Sequence, residues 1–76
     1  DQDGVYSEGM YKVGKDLPAG EYKVRALSGE TAYVAVYSKC TARIGNIVTN
    51  DNFTEEKYVT VADGQYILIS RGEIIQ

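Results

Sequence analysis

The sequence predicts an all-β fold: a small antiparallel β-sandwich or partly open barrel of about seven short strands. Three observations carry that expectation. Polar and apolar residues alternate through Glu21-Tyr22-Lys23-Val24-Arg25-Ala26, as in a strand with one dry face and one wet face. Turn-forming clusters recur at short intervals, among them Pro18-Ala19-Gly20, Ser28-Gly29, Asp63-Gly64 and Arg71-Gly72. No segment carries the period of an amphipathic helix.

Residues 1–9 read as a polar lead-in, with Tyr6 available as an anchor, and residues 10–76 as a single β domain. Met10-Tyr11-Lys12-Val13 alternates and puts Tyr11 and Val13 inward. The connection Gly14-Lys15-Asp16-Leu17-Pro18-Ala19-Gly20 is long for a tight hairpin, and Leu17 is expected to tuck inward and hold it. In the next strand Tyr22, Val24 and Ala26 face the core, while Glu21, Lys23 and Arg25 face water. Thr31 to Ser38 is β-branched and aromatic on both faces, as a central strand would be. Ile44 to Thr49 reads as a shorter strand interrupted by Gly45 and Asn46, and Asn50-Asp51-Asn52 as a turn with Phe53 plugging the loop. Tyr58 to Val61 and Gln65 to Ser70 flank Asp63-Gly64, a hairpin signal. Glu73 to Ile75 reads as a last short strand. The onsets Gly20-Glu21-Tyr22 and Gly64-Gln65-Tyr66 resemble each other as an internal half-repeat.

Composition excludes several functions. A chain of 76 residues hides only about 60 % of its unfolded surface, so its core is thin. A net charge of -3, from 8 basic and 11 acidic residues, has the wrong sign for neutralising phosphates, and nucleic acid is not an expected partner. Histidine is absent, which removes the commonest general base and the commonest transition-metal ligand. No cofactor and no metal site are expected. Cys40 is the single cysteine and has no partner for an internal disulfide. The longest apolar run, Tyr66-Ile67-Leu68-Ile69, is far below the roughly 20 residues that span a bilayer, so no transmembrane segment is expected. The chain opens on Asp1 rather than methionine, as an exported protein does after processing and as a domain taken from a longer chain also does.

The segment from Gly9 to Tyr22, GMYKVGKDLPAGEY, together with Tyr58-Val59-Thr60-Val61 and Asp63-Gly64-Gln65-Tyr66, resembles a small β module of secreted or lipid-anchored proteins of Gram-positive bacteria. The resemblance spans most of the chain from Gly9 onward. It implies export and an extracellular or cell-surface location. It brings no established activity and therefore no functional residues. A mature lipoprotein opens on its lipid-modified cysteine, whereas Cys40 lies in mid-domain. Attachment would depend on residues outside this chain.

Candidate chemistry is sparse. Ser7, Ser28, Ser38 and Ser70 have no histidine to activate them. Cys40 stands beside Lys39 and near Arg43, cations that lower a thiol pKa, but a half-buried thiol at a strand end is the plainer reading. Glu55 and Glu56 are adjacent and point to opposite sides of a strand, while Asp16, Asp51 and Asp63 read as turn caps. Asp1-Gln2-Asp3-Gly4 opens like a calcium loop without its later ligands, and the oxygens of Asn50-Asp51-Asn52 are those of an ordinary turn. The chain is therefore not expected to be an enzyme, with a carboxylate-based hydrolase as the remote alternative.

Tyrosine is the unusual feature: 7 Tyr stand against 1 Phe and no Trp. Tyr11, Tyr22 and Tyr66 read as inward. Tyr33 and Tyr37, with Ala35 between them, share one face and are the first candidates for binding. Lys12, Lys23 and Arg25 read as outward on the first two strands, and if those strands pair they form a basic strip with Lys15 nearby. The expected function is a non-catalytic accessory or binding module of an exported surface protein, with a cell-wall polymer or another surface protein as partner. The alternative is an assembly domain acting through a strand edge such as Glu73-Ile74-Ile75, which would make the chain an oligomer.

Overall fold

Alternation decides which side of each strand is dry. In β2 (Gly20–Ala26), Val24 and Ala26 are buried and Tyr22 is half-buried, while Glu21 and Arg25 lie in water, as the sequence predicts. The computed structural model describes residues 6–38 and 44–75. Its strands are β1 (Gly9–Lys12), β2, β3 (Ala32–Tyr37), β4 (Ile47–Phe53), β5 (Glu56–Val61), β6 (Tyr66–Ser70) and β7 (Gly72–Ile74), with a 3-10 turn at Ile44–Asn46. They form two antiparallel sheets, one ordered β1-β6-β3-β4 and the other β5-β2-β7. The all-β sandwich expected from the sequence is the fold. No helix among the described residues is long and apolar enough to cross a membrane.

The core lies between the sheets. Val34, Val36, Ile67 and Ile69 enter it from the four-stranded sheet, and Val24, Val59, Val61 and Ile74 from the three-stranded one. The β1–β2 connection plugs one end: Val13 and Leu17 bridge each other and are both buried. Asp16 caps this turn by accepting from the Lys12 N–H at 2.8 Å, the side-chain-to-backbone bond that short carboxylates make at turns. β3 lies between β6 and β4, the central position that its β-branched and aromatic sequence suggests. Phe53 packs against the core cluster from the end of β4.

Three expectations are corrected. Asp63-Gly64 does turn the chain, with Gly64 at φ 88°, but β5 and β6 belong to different sheets. The turn is an arch over the core rather than a hairpin, held by the Gly64 N–H donating to the Val13 carbonyl at 3.0 Å. Val59 and Val61 must face Ile67 and Ile69 across the core, and a hairpin would lay them side by side instead. Asn50-Asp51-Asn52 is not a turn but the middle of β4, whose register with β3 runs from Ala32↔Phe53 to Tyr37↔Ile47 with a bulge at Val36/Tyr37. β4 is an edge strand, and its exposed face tolerates polar residues that a central strand would not. Tyr66 points outward, because Ile67 and Ile69 take the dry face of β6.

The two seams of the sandwich differ. On one, the lead-in closes the edge of β7: Tyr6 and Ile74 exchange two backbone hydrogen bonds of 3.0 and 2.8 Å. Tyr6 also meets the Tyr11 ring edge-on at 5.4 Å, and Glu8 accepts from the Arg71 N–H at 2.5 Å. Ile74 is thus buried and already paired, so Glu73-Ile74-Ile75 is not the free edge that the sequence suggested. The other seam lies between β4 and β5, the two sheet edges joined by residues 54 and 55.

Candidate functional site

The outer face of the four-stranded sheet gathers the polar aromatic residues. The register lays them out in rows: Asn52–Tyr33–Ser70, then Asn50–Ala35–Leu68–Met10, then Tyr37–Tyr66–Lys12. The spacing of Tyr33 and Tyr37 along β3 does put both on one face, as alternation requires. The sequence reading missed Tyr66, Leu68 and Met10, which complete the face. The signal for them lay in β6, whose Tyr-Ile-Leu-Ile run is apolar in both phases.

The tyrosines differ in exposure. Tyr37 is 5 % exposed and Ala35 is 0 % exposed, although both lie on the outer side of a two-layer fold. Ala35 sits low between Tyr33 and Tyr37 along the strand and between Asn50 and Leu68 across it, so larger neighbours shield it. Tyr33, Tyr66 and Leu68 are half-buried, and Met10, Lys12, Asn50 and Asn52 are exposed. The groups a ligand can reach are therefore Tyr33 and Tyr66 with their polar rim, while Tyr37 supports them from below. Asn50 Nδ2 donates to the Tyr33 hydroxyl at 3.3 Å. The Lys12 ammonium lies 5.9 Å from the centre of the Tyr66 ring, within cation–π reach.

Burial pushes the Tyr37 hydroxyl pKa upward, and the neighbouring Tyr33, close in charge and hydrogen-bonded to it, pushes the same way. Tyr22 is raised too, by burial first and then by Tyr6; its hydroxyl donates to the Pro18 carbonyl. The consequence for stability has a definite sign. Unfolded tyrosine ionises near pH 10, while these two hold their protons to higher pH in the fold. Their contribution is complete below that value and is lost as pH rises through the folded-state pKa. Denaturant unfolding at pH 8 and pH 11 should show an alkaline loss of stability, smaller in Tyr37→Phe than in the wild type.

The basic strip does not form. β1 and β2 lie in different sheets, because Val13 and Leu17 carry the chain through the core between them. Lys12 therefore faces outward from one sheet, while Lys23 and Arg25 face outward from the other. Lys23 Nζ lies 3.2 Å from a Glu56 oxygen and 5.8 Å from the Tyr58 ring centre, and Arg25 Nη2 lies 3.0 Å from a Glu73 oxygen. This second face is a neutralised, solvated ladder of cross-strand pairs.

Asp51 pairs with Lys57, and Ser70 accepts from Arg71. Lys39, Cys40, Arg43 and Asp1-Gln2-Asp3-Gly4 lie outside the described residues. Among the described residues no cluster of three or more His, Cys, Asp or Glu could hold a metal ion. Flat apolar rings with hydroxyl tips, one exposed cation and two amides on this face offer stacking and hydrogen bonding together. No protein-family model, no curated protein and no solved structure matches the chain.

Proposed function

We propose that this domain is a non-catalytic binding module of an exported bacterial surface protein, and that its ligand, a cell-wall polymer or another surface protein, rests on the outer face of the four-stranded sheet. The observation that supports this reading is the convergence of Tyr33, Tyr37 and Tyr66 on one face, with Asn50 and Lys12 at its rim. Rigid amphipathic rings give large contact area at a small entropy cost, which is why recognition surfaces favour them. The export half of the reading rests on the resemblance carried by Gly9 to Tyr22.

The test is retention of the purified domain on isolated Gram-positive cell walls at low and high salt. Wild type should be retained, and Tyr33→Ser/Tyr66→Ser should bind about tenfold more weakly, a loss of about 1.4 kcal/mol. Tyr37 is left intact because its burial would confound stability with binding. Retention that salt abolishes assigns the contact to Lys12, and retention that survives salt assigns it to the rings. A wild-type domain that is not retained, or a double variant that binds as well as wild type, overturns the reading.

A further inference from the structure

The open seam between β4 and β5 contains a hollow of about 110 Å³. Val34, Val36 and Val59 give it an apolar floor, and Thr49 and Lys57 stand at its sides. Thr49 lies opposite Val36 and Asp51 opposite Val34 in the β3–β4 ladder, and Lys57 lies opposite Val24 in the β2–β5 ladder. These three polar residues therefore occupy core-facing positions on the two edge strands. Inward charges of this kind protect sheet edges, and they also furnish the hollow with a charged group. Lys57 Nζ is 3.1 Å from Asp51 Oδ2. Asp51 meets it from beside the hollow and is not part of the lining, so the lining holds one cation and no carboxylate.

We propose that this hollow binds a carboxylate carried on a short branched aliphatic body, with the carboxylate on Lys57 in the place Asp51 now holds and the carbons on Val34, Val36 and Val59. Asp51 is the built-in stand-in for the ligand's charged end. Both partners of the ion pair are substantially exposed, with side-chain exposures of 33 % and 49 %, and pairs of that kind are weak and readily exchanged. Val34, Val36 and Val59 are already almost wholly buried, so the apolar gain comes from the ligand's own carbons leaving water, and the contact with Lys57 is what selects a carboxylate over an alcohol or an amine. The hollow is somewhat smaller than the about 150 Å³ cavity that takes a benzene ring, and this limits the body to about four carbons. Two sources present this chemistry: a free short-chain acid, and the terminal valine or leucine of a peptide. A peptide would run back along an unpaired edge of β4 or β5.

The test is an amide-shift NMR titration of the full chain with isovalerate, with isopentylamine of nearly the same shape, and with acetyl-Gly-Gly-Leu carrying a free or an amidated terminus. Isovalerate should shift the Val36, Lys57 and Val59 amides, and isopentylamine at equal concentration should not. Asp51→Asn removes the internal competitor and should tighten isovalerate binding about fivefold, whereas Lys57→Gln should weaken it at least about tenfold. A free-terminus peptide that binds more tightly than isovalerate, while its amide does not bind, assigns a peptide terminus; a peptide no tighter than isovalerate assigns the free acid. The proposal is overturned if the amine shifts the same amides as strongly as the acid, if neither acid nor peptide shifts them, or if Asp51→Asn leaves the affinity unchanged.

Discussion

Truncating Ile67 to alanine is expected to cost about 3 kcal/mol of folding stability, within the range of about 2–5 kcal/mol for emptying a buried isoleucine site. Leu68→Ala, one residue along the same strand, is expected to cost no more than about 1 kcal/mol, because that side chain already keeps part of its surface in water. Ile67 is 0 % exposed and sits in the core cluster, whereas Leu68 lies on the outer face and is half-buried. The contrast matters because a domain of this size has only about 4–11 kcal/mol to lose. Ile67→Ala should therefore unfold at a much lower urea midpoint with an unchanged slope, while Leu68→Ala stays near wild type. Reversed losses, with Leu68→Ala costing more than Ile67→Ala, would mean that β6 sits in the opposite phase, and the aromatic face would then lose Tyr66.

That phase is also where the sequence stops being legible. β2 could be read because each apolar residue alternates with a charged one, and a charge cannot be buried unpaired at low cost. β6 could not, because Tyr66, Ile67, Leu68 and Ile69 are all acceptable on either side. What selects the phase is Val24, Val59 and Val61 on the facing sheet, a partner that the Tyr-Ile-Leu-Ile run itself does not mark. The same limit applies to Asp63-Gly64. A glycine at positive φ specifies a bend, and a bend leads equally well to a neighbouring strand or to the facing sheet, which packs only about 10 Å away. Leu17 was legible, since one apolar residue in a polar loop has only the core to go to, and its bridge to Val13 follows. The Tyr33/Tyr37 pair was legible from its spacing alone. The basic strip was not, because an outward charge says only that a residue avoids the core. It does not say which of two outer faces the residue occupies, and Lys12 went one way while Lys23 and Arg25 went the other.

Adding a single methyl at Gly72 is expected to be costly for a different reason, namely space. The backbone at Gly72 does not lie in the left-handed region that favours glycine, so other residues could adopt it. A Cβ there would stand 3.0 Å from the Arg25 carbonyl oxygen and 3.1 Å from the Ala32 Cβ, with Ile69 Cγ2 at 3.6 Å. Neither of the two close atoms can rotate aside, since one is backbone and the other is fixed to it. The strand itself must move, and β7 is only three residues long, paired through Val24↔Ile74, Arg25↔Glu73 and Ala26↔Gly72. The turn before it is already held by force: Arg71 stands at φ 56°, a conformation side chains seldom adopt, anchored by Nε donating to the Thr31 carbonyl at 2.7 Å. A shift there also loosens Ile74, and with it the Tyr6 bridge that closes the seam. Gly72→Ala should cost about 1–3 kcal/mol, as overpacking does, and Gly72→Val should leave no cooperative transition. Gly45 provides the control: its Cβ would meet nothing within 4 Å and its φ is not positive. Gly45→Ala should therefore be neutral or raise stability by up to about 1 kcal/mol through the unfolded chain. A Gly72→Ala variant that melts with Gly45→Ala would mean that β7 does not press against β2 and Ala32 as closely as these distances require.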